Sequence, residues 1–173
     1  DTAACYGPSE EFIGKYISHR RSEFYLATKC GCPVGDPRFI IAAPLRDHIY
    51  TRENIVAGVN QSLARMKTEY LDIVQFHGGP SKDTLDEDAA IETLRDLQRE
   101  GKLRFIGSSS TLPNIEDHSQ MGVFDEFQIP YSALERDHED WITKAAAAGA
   151  GTIIRGGVSR GEPGGWRGNA ERW

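Results

Sequence analysis

LDIVQFHGGPSKDTLDEDAAIETLRDLQREGKLRFIGSSS (residues 71–110) holds one complete structural unit. Residues 71–77 are a short run rich in apolar and β-branched side chains, stopped by Gly78-Gly79-Pro80, which reads as a strand with a turn behind it. Thr84 and Glu87 match a capping box, and Ile91, Leu94 and Leu97 form the apolar stripe of a helix that Gly101 ends. KLRFIGSSS (102–110) is then a second strand. Two strands joined through a helix run parallel, because the helix carries the chain back to the end from which the first strand set out.

The same rhythm extends in both directions. FYLATKC (24–30) is a strand, and TRENIVAGVNQSLARMKTEY (51–70) spaces Ile55, Val59, Leu63 and Met66 as a helix with Thr51 at its N-cap. FDEFQIPYS (124–132) is a strand stopped at Pro130, EDWITKAAAAGA (139–150) an alanine-rich helix, and GTIIRGG (151–157) a fifth strand. Only CGCPVGDPRFIIAAPLRDHIY (30–50) is long and irregular. Units of about 30 residues suit either a doubly wound sheet or a (β/α)8 barrel. No G-x-G-x-x-G follows a strand, which counts against the dinucleotide-binding doubly wound fold.

Composition narrows the function classes. The 173 residues suit one domain or a large piece of one, and 39% hydrophobic with 27% charged residues is ordinary for a globular protein. A net charge of -6 with no basic run argues against nucleic acid as a partner. No apolar stretch approaches the roughly 20 residues that cross a bilayer, and no signal peptide is visible. Three cysteines, Cys5, Cys30 and Cys32, make a poor disulfide framework. Free thiols in a reducing cytoplasm are expected, and their spacing fits no common zinc pattern. The Cys30-x-Cys32 pair is a candidate for redox sensitivity.

Reactive side chains fall at one end of the strands. Lys29 and His77 end two of them, Ser108, Ser109 and Ser110 a third, Gln128 lies near the end of a fourth, and Arg155 ends the fifth. In a barrel, the C-terminal rim is where active sites are built. Asp1 and Tyr6 join that rim if residues 1–6 are the tail of an earlier strand and its loop. A cation within about 4–6 Å of a tyrosine favours the phenolate, so Lys29, held by Asp1, would prepare Tyr6 to act as an acid. A neutral His77 would orient a carbonyl oxygen.

The order of these residues resembles that of the aldo-keto reductase superfamily. DTAACYGPSE (1–10) is similar to its D-x-A-x-x-Y-G-x-S-E stretch, LATKC (26–30) to its strand-end A-T-K, and YLDIVQFHGG (70–79) to its Y-[LI]-D-L-x-x-x-H segment. LQREGKLRFIGSSS (97–110), FQIPYSALER (127–136) and AAAAGAGTIIRGGVSRG (145–161) match three further motifs in order. The resemblance implies a (β/α)8 TIM barrel, of which roughly strands 3–7 and the end of strand 2 are present in a single partial domain over 1–173. It also implies NADPH as hydride donor, with NADH the other option, and reduction of an aldehyde or ketone. Carried over by position, Asp1, Tyr6, Lys29 and His77 are the catalytic set with Tyr6 the general acid. Ser109, Ser110, Gln128 and Arg155 would hold the cofactor, and no metal is expected.

Two of these positions depart from the pattern. Ser110 stands where the family usually has Asn, and Arg155 where many members carry a Tyr that stacks on the nicotinamide. A guanidinium plane also stacks, but its charge opposes an oxidised ring. The expected absence of the first and last barrel units would leave two parallel edges open, which favours a homo-oligomer. The competing readings are a cofactor-sensing binding protein on the same fold, an inactive remnant, or a metal-dependent lyase or hydrolase on an unrelated barrel.

Overall fold

A computed structural model describes residues 1–34 and 48–157. After an opening loop come α1 (Ser9–Tyr16), a 3-10 helix (Ser18–Glu23) and β1 (Ala27–Cys30). The chain continues through α2 (Arg52–Met66), β2 (Leu71–Phe76), α3 (Lys82–Glu87), α4 (Ala90–Arg99) and β3 (Leu103–Ser109). It closes with α5 (Asn114–Gln120), β4 (Glu126–Pro130), α6 (Glu139–Ala147) and β5 (Gly151–Arg155). Most of the expected loop 30–50 and all of 158–173 lie outside the described residues.

The five strands pair in parallel in the order β1-β2-β3-β4-β5. In a doubly wound sheet the order reverses at a switch point; here each right-handed crossover steps the same way, which places the helices on one face. This is the winding of a barrel wall. Alternate strand residues Cys30, Val74, Phe76, Ile106, Phe127 and Ile129 enter the core beneath the helices, meeting Ile55, Val59 and Met66 of α2 and Leu94 and Leu97 of α4. Burying each such side chain contributes about 1.5–3 kcal/mol.

Two local expectations change. Thr84 does not cap a helix but lies within α3; Ser81 is the N-cap, its Oγ accepting from the Thr84 amide at 3.2 Å. A left-handed Ala89 then breaks the segment, so the single expected helix is two, α3 and α4. Thr51 precedes α2 but its side chain makes no cap bond. The helices α1 and α5 and the 3-10 turn have no counterpart in the pattern reading, because each is too short to show helical periodicity clearly.

Carboxylates lock the N-terminal ends of the strands. Asp72 accepts from the Leu26 amide at 2.7 Å, from Arg21 Nη2 at 2.6 Å and from Arg104 Nη1 at 3.1 Å. Asp125 repeats the device beside β4, accepting from the Ile106 amide at 2.9 Å. Burial pushes the Asp72 carboxyl up, but the Leu26 amide and the two guanidinium groups outweigh it and leave it below the ordinary carboxylate range.

Candidate functional site

The opposite rim is built on the residues that alternate with the core set. Lys29, Gln75, Gly107 and Glu126 stand at one level of the sheet, each register partner of the next. Gly107 is required there by space. A Cβ would fall 2.3 Å from Glu126 Oε2, where the carboxyl accepts from Gln75 Nε2 at 2.8 Å. Burial raises the Glu126 carboxyl to about 7, against the Gln75 hydrogen bond and the Lys29 charge, which pull it down.

Above this row lies a continuous polar chain. Ser109 Oγ donates to Gln128 Oε1 at 3.1 Å, and Gln128 Nε2 donates to Asp1 Oδ2 at 3.0 Å. Asp1 pairs with Lys29 Nζ, which also donates to the Thr2 carbonyl at 3.0 Å and sits 4.8 Å from the centre of the Tyr6 ring. The Lys29 side chain is 1% exposed. Burial depresses its pKa, and the neighbouring Tyr6 oxygen and the Cys5 and Cys32 thiols oppose that shift. The Tyr6 ring meets His77 edge-on at 5.6 Å between centroids and is 47% exposed. The structure therefore brings Asp1, Tyr6, Lys29 and His77 together.

The opening loop is fixed by neighbours that the sequence reading passed over. The Thr2 amide donates to Ala27 O at 2.9 Å, which sets residues 1–2 alongside β1. Thr2 Oγ1 donates to Ser9 Oγ at 2.7 Å. Glu10, buried at the start of α1, accepts from Thr28 and Ser62, both at 2.7 Å, and pairs with Arg65. One carboxylate thus ties the loop that carries Tyr6 to both β1 and α2.

The cofactor candidates divide. Ser109 and Gln128 face the Asp1–Lys29 pair, and both are buried. Ser108, one position away, points to the helical side and donates to His118 Nδ1 at 2.9 Å, since His118 Nε2 donates to Pro80 O. Ser110 is buried against Gly79, where a Cβ would lie 2.5 Å from its Oγ. Arg155 ends β5, its carbonyl accepting from the Tyr131 amide at 3.2 Å, and its charge depresses His138, where burial is the larger cause.

The thiols group differently from expectation. Cys30 faces the core, and burial pushes its thiol up to about 12. Gly31, at φ +101°, turns the chain so that Cys32 returns over the rim. Asn54 of α2 holds the turn by donating to Cys32 O at 3.1 Å and to Ile49 O at 2.8 Å. Cys32 Sγ reaches Cys5 Sγ at 2.7 Å, and His77 Nδ1 lies 3.4 Å from Cys5 Sγ and 3.2 Å from Cys32 Sγ. Cys5 is held down at about 4, chiefly by the Cys32 hydrogen bond and further by His77, against burial. Cys32 is pushed up by that same bond and by burial. The pair at the rim is Cys5 with Cys32, not Cys30 with Cys32.

Comparison with known proteins gives the chain's family. The sequence profile described as the aldo/keto reductase family matches residues 1–161. The chain belongs to the aldo/keto reductase family. It is 32% identical over 167 residues to the uncharacterised oxidoreductase YqkF of Bacillus subtilis, covering 93% of this chain and 51% of that protein. It is 30% identical over 167 residues to the aldo-keto reductase YhdN of the same organism, covering 93% of this chain and 48% of that one. Among solved structures, the holo form of aldo-keto reductase AKR11C1 from Bacillus halodurans superposes with a TM-score of 0.81 at 34% identity, over 93% of this chain and 53% of that one. The chain thus spans about half the length of these family relatives, and its five strands are a stretch of a (β/α)8 barrel wall.

Proposed function

We propose that this aldo/keto reductase chain carries the acid and the cofactor-facing residues for reduction of an aldehyde or ketone to an alcohol by NADPH. The observation that carries the reading is the buried Lys29, paired with Asp1 and set 4.8 Å from the Tyr6 ring, with His77 edge-on to the same ring. Tyr6 donates its phenolic proton to the carbonyl oxygen as negative charge develops there. The Lys29 ammonium stabilises the phenolate left behind, and Asp1 keeps the ammonium in place. His77 Nδ1 is turned toward the two sulfurs, so Nε2 is the nitrogen that orients the substrate oxygen.

A nicotinamide carboxamide offers one carbonyl and one amide group, and the Ser109 hydroxyl with the Gln128 amide is a donor and acceptor set that suits both. When bound, the nicotinamide supplies the hydride. Ser110 and Arg155 flank that set at the strand ends, with NADH the other donor that this half of the site accommodates. Three free cysteines are consistent with a reducing cytoplasm. No described helix is long and apolar enough to cross a membrane. The substrate is a small carbonyl compound.

NADPH consumption with an activated aromatic aldehyde tests the reading in the protein that carries this chain. Turnover should fall about 10³-fold in Tyr6→Phe, the usual size of a lost general acid. Unchanged turnover in that variant would overturn the assignment. Tight NADPH binding without turnover in either form would favour the cofactor-sensing alternative.

A further inference from the structure

We infer that Cys5 and Cys32 form an oxidation site, closing reversibly to a disulfide beside His77. The sulfurs lie 2.7 Å apart, so reaching the roughly 2.05 Å of a disulfide asks each to move only about 0.3 Å. The two residues are 27 positions apart and are brought together by two separately anchored loops. Thr2 and Ser9 fix one, and Asn54 fixes the other. Cys5 is half-buried and Cys32 is buried, the order expected of an attacking thiol and a resolving one. The depressed Cys5 thiol is ionised at neutral pH and is the nucleophile.

With hydrogen peroxide as oxidant, the Cys5 thiolate attacks one oxygen, the O–O bond breaks, and Cys5 becomes a sulfenic acid as hydroxide leaves. The Cys32 sulfur then attacks the Cys5 sulfur, and its proton leaves with the departing hydroxyl as water. The sum is two thiols and one peroxide giving one disulfide and two waters. The two sulfurs are oxidised by two electrons and the peroxide is reduced by two. A thiol reductant reverses it by exchange. The closed disulfide has no S–H or thiolate to offer His77 Nδ1, so oxidation alters the partners of a rim residue. None of this depends on the carbonyl-reducing role.

The test is a count of free thiols after peroxide treatment, with peptide mapping. The three free thiols should fall to one, the map should join the peptides of Cys5 and Cys32, and dithiothreitol should restore three. Cys5→Ser should retain both remaining thiols under the same dose, Cys32→Ser should lose one thiol to an unresolved sulfenic acid at Cys5 with no cross-link, and Cys30→Ala should lose both of its own to the disulfide. Circular dichroism shows that each variant is folded before the count. A disulfide to Cys30, a disulfide only between chains, or oxidation of Cys5 to a sulfinic acid without joining Cys32 would overturn the inference.

Discussion

The two ends of the sheet each carry an aspartate that bridges strands, and they are built to opposite ends. Asp72 has a side chain 2% exposed and spends its oxygens on Arg21, Arg104 and the Leu26 amide. Asp1 is 35% exposed at its side chain and pairs with a lysine that is itself 1% exposed. At the first end the charge is satisfied and closed off, the arrangement of a structural clasp. At the second, a buried cation held by Asp1 and the Thr2 carbonyl also lies beside a half-exposed phenol, so the cluster stays open to solvent. A polar cluster that stays open at the C-terminal ends of parallel strands is where chemistry is expected; one that is closed off at the N-terminal ends is where stability is.

Substitutions can break this contrast. Lys29→Met is expected to reduce turnover about 10³-fold while leaving the urea midpoint unchanged or raised, because it removes a desolvated charge along with the catalytic one. A large fall in the midpoint would make Lys29 structural after all. Asp72→Ala should cost about 3 kcal/mol in urea unfolding, since it leaves the largely buried Arg21 without its partner. A loss under 1 kcal/mol would show the clasp to be dispensable.

Glu126 sharpens the contrast by pH. Its carboxyl titrates at about 7 when folded and near 4.5 when unfolded, so between those values the folded form holds a proton that the unfolded form has released. Stability should therefore fall as pH rises from about 4.5 to about 7, by on the order of 3 kcal/mol, and then level off. Glu126→Gln should remove that slope while keeping an acceptor for Gln75, as read from urea midpoints across the range. The smallest effect is one of reactivity alone. Alkylation of Cys5 by iodoacetamide should proceed at nearly the same rate from pH 8 down to about pH 5, where an ordinary thiol would have slowed steeply.

The strands and most of the site were legible because both rest on local pattern. LDIVQF and FIGSS read as strands from composition, and Lys29, His77, Ser109 and Gln128 follow from where those strands end. The choice between barrel and doubly wound sheet was not legible in periodicity, since both use the same unit; the strand order decided it. The pairing of Cys5 with Cys32, and of both with His77, joins residues 27 to 72 positions apart through loops. Spacing in the sequence pointed instead to Cys30-x-Cys32, which the turn at Gly31 separates. Gln75 and Glu126 were hidden for a similar reason, because a polar residue in a strand looks solvent-facing until the sheet is known to curve around it.

The most direct measurement sets Tyr6→Phe beside Asp72→Ala, with NADPH turnover and the urea midpoint determined for each. We expect Tyr6→Phe to lose most of its turnover while its midpoint stays within about 0.5 kcal/mol of the parent, the usual range for a change at an exposed side chain, since Lys29 keeps Asp1 and the Thr2 carbonyl as partners. Asp72→Ala should show the reverse, with turnover per folded molecule preserved and the midpoint lowered. If Tyr6→Phe lost stability as Asp72→Ala does, or if folded Asp72→Ala lost turnover, the division of the sheet into a chemical end and a structural end would be contradicted.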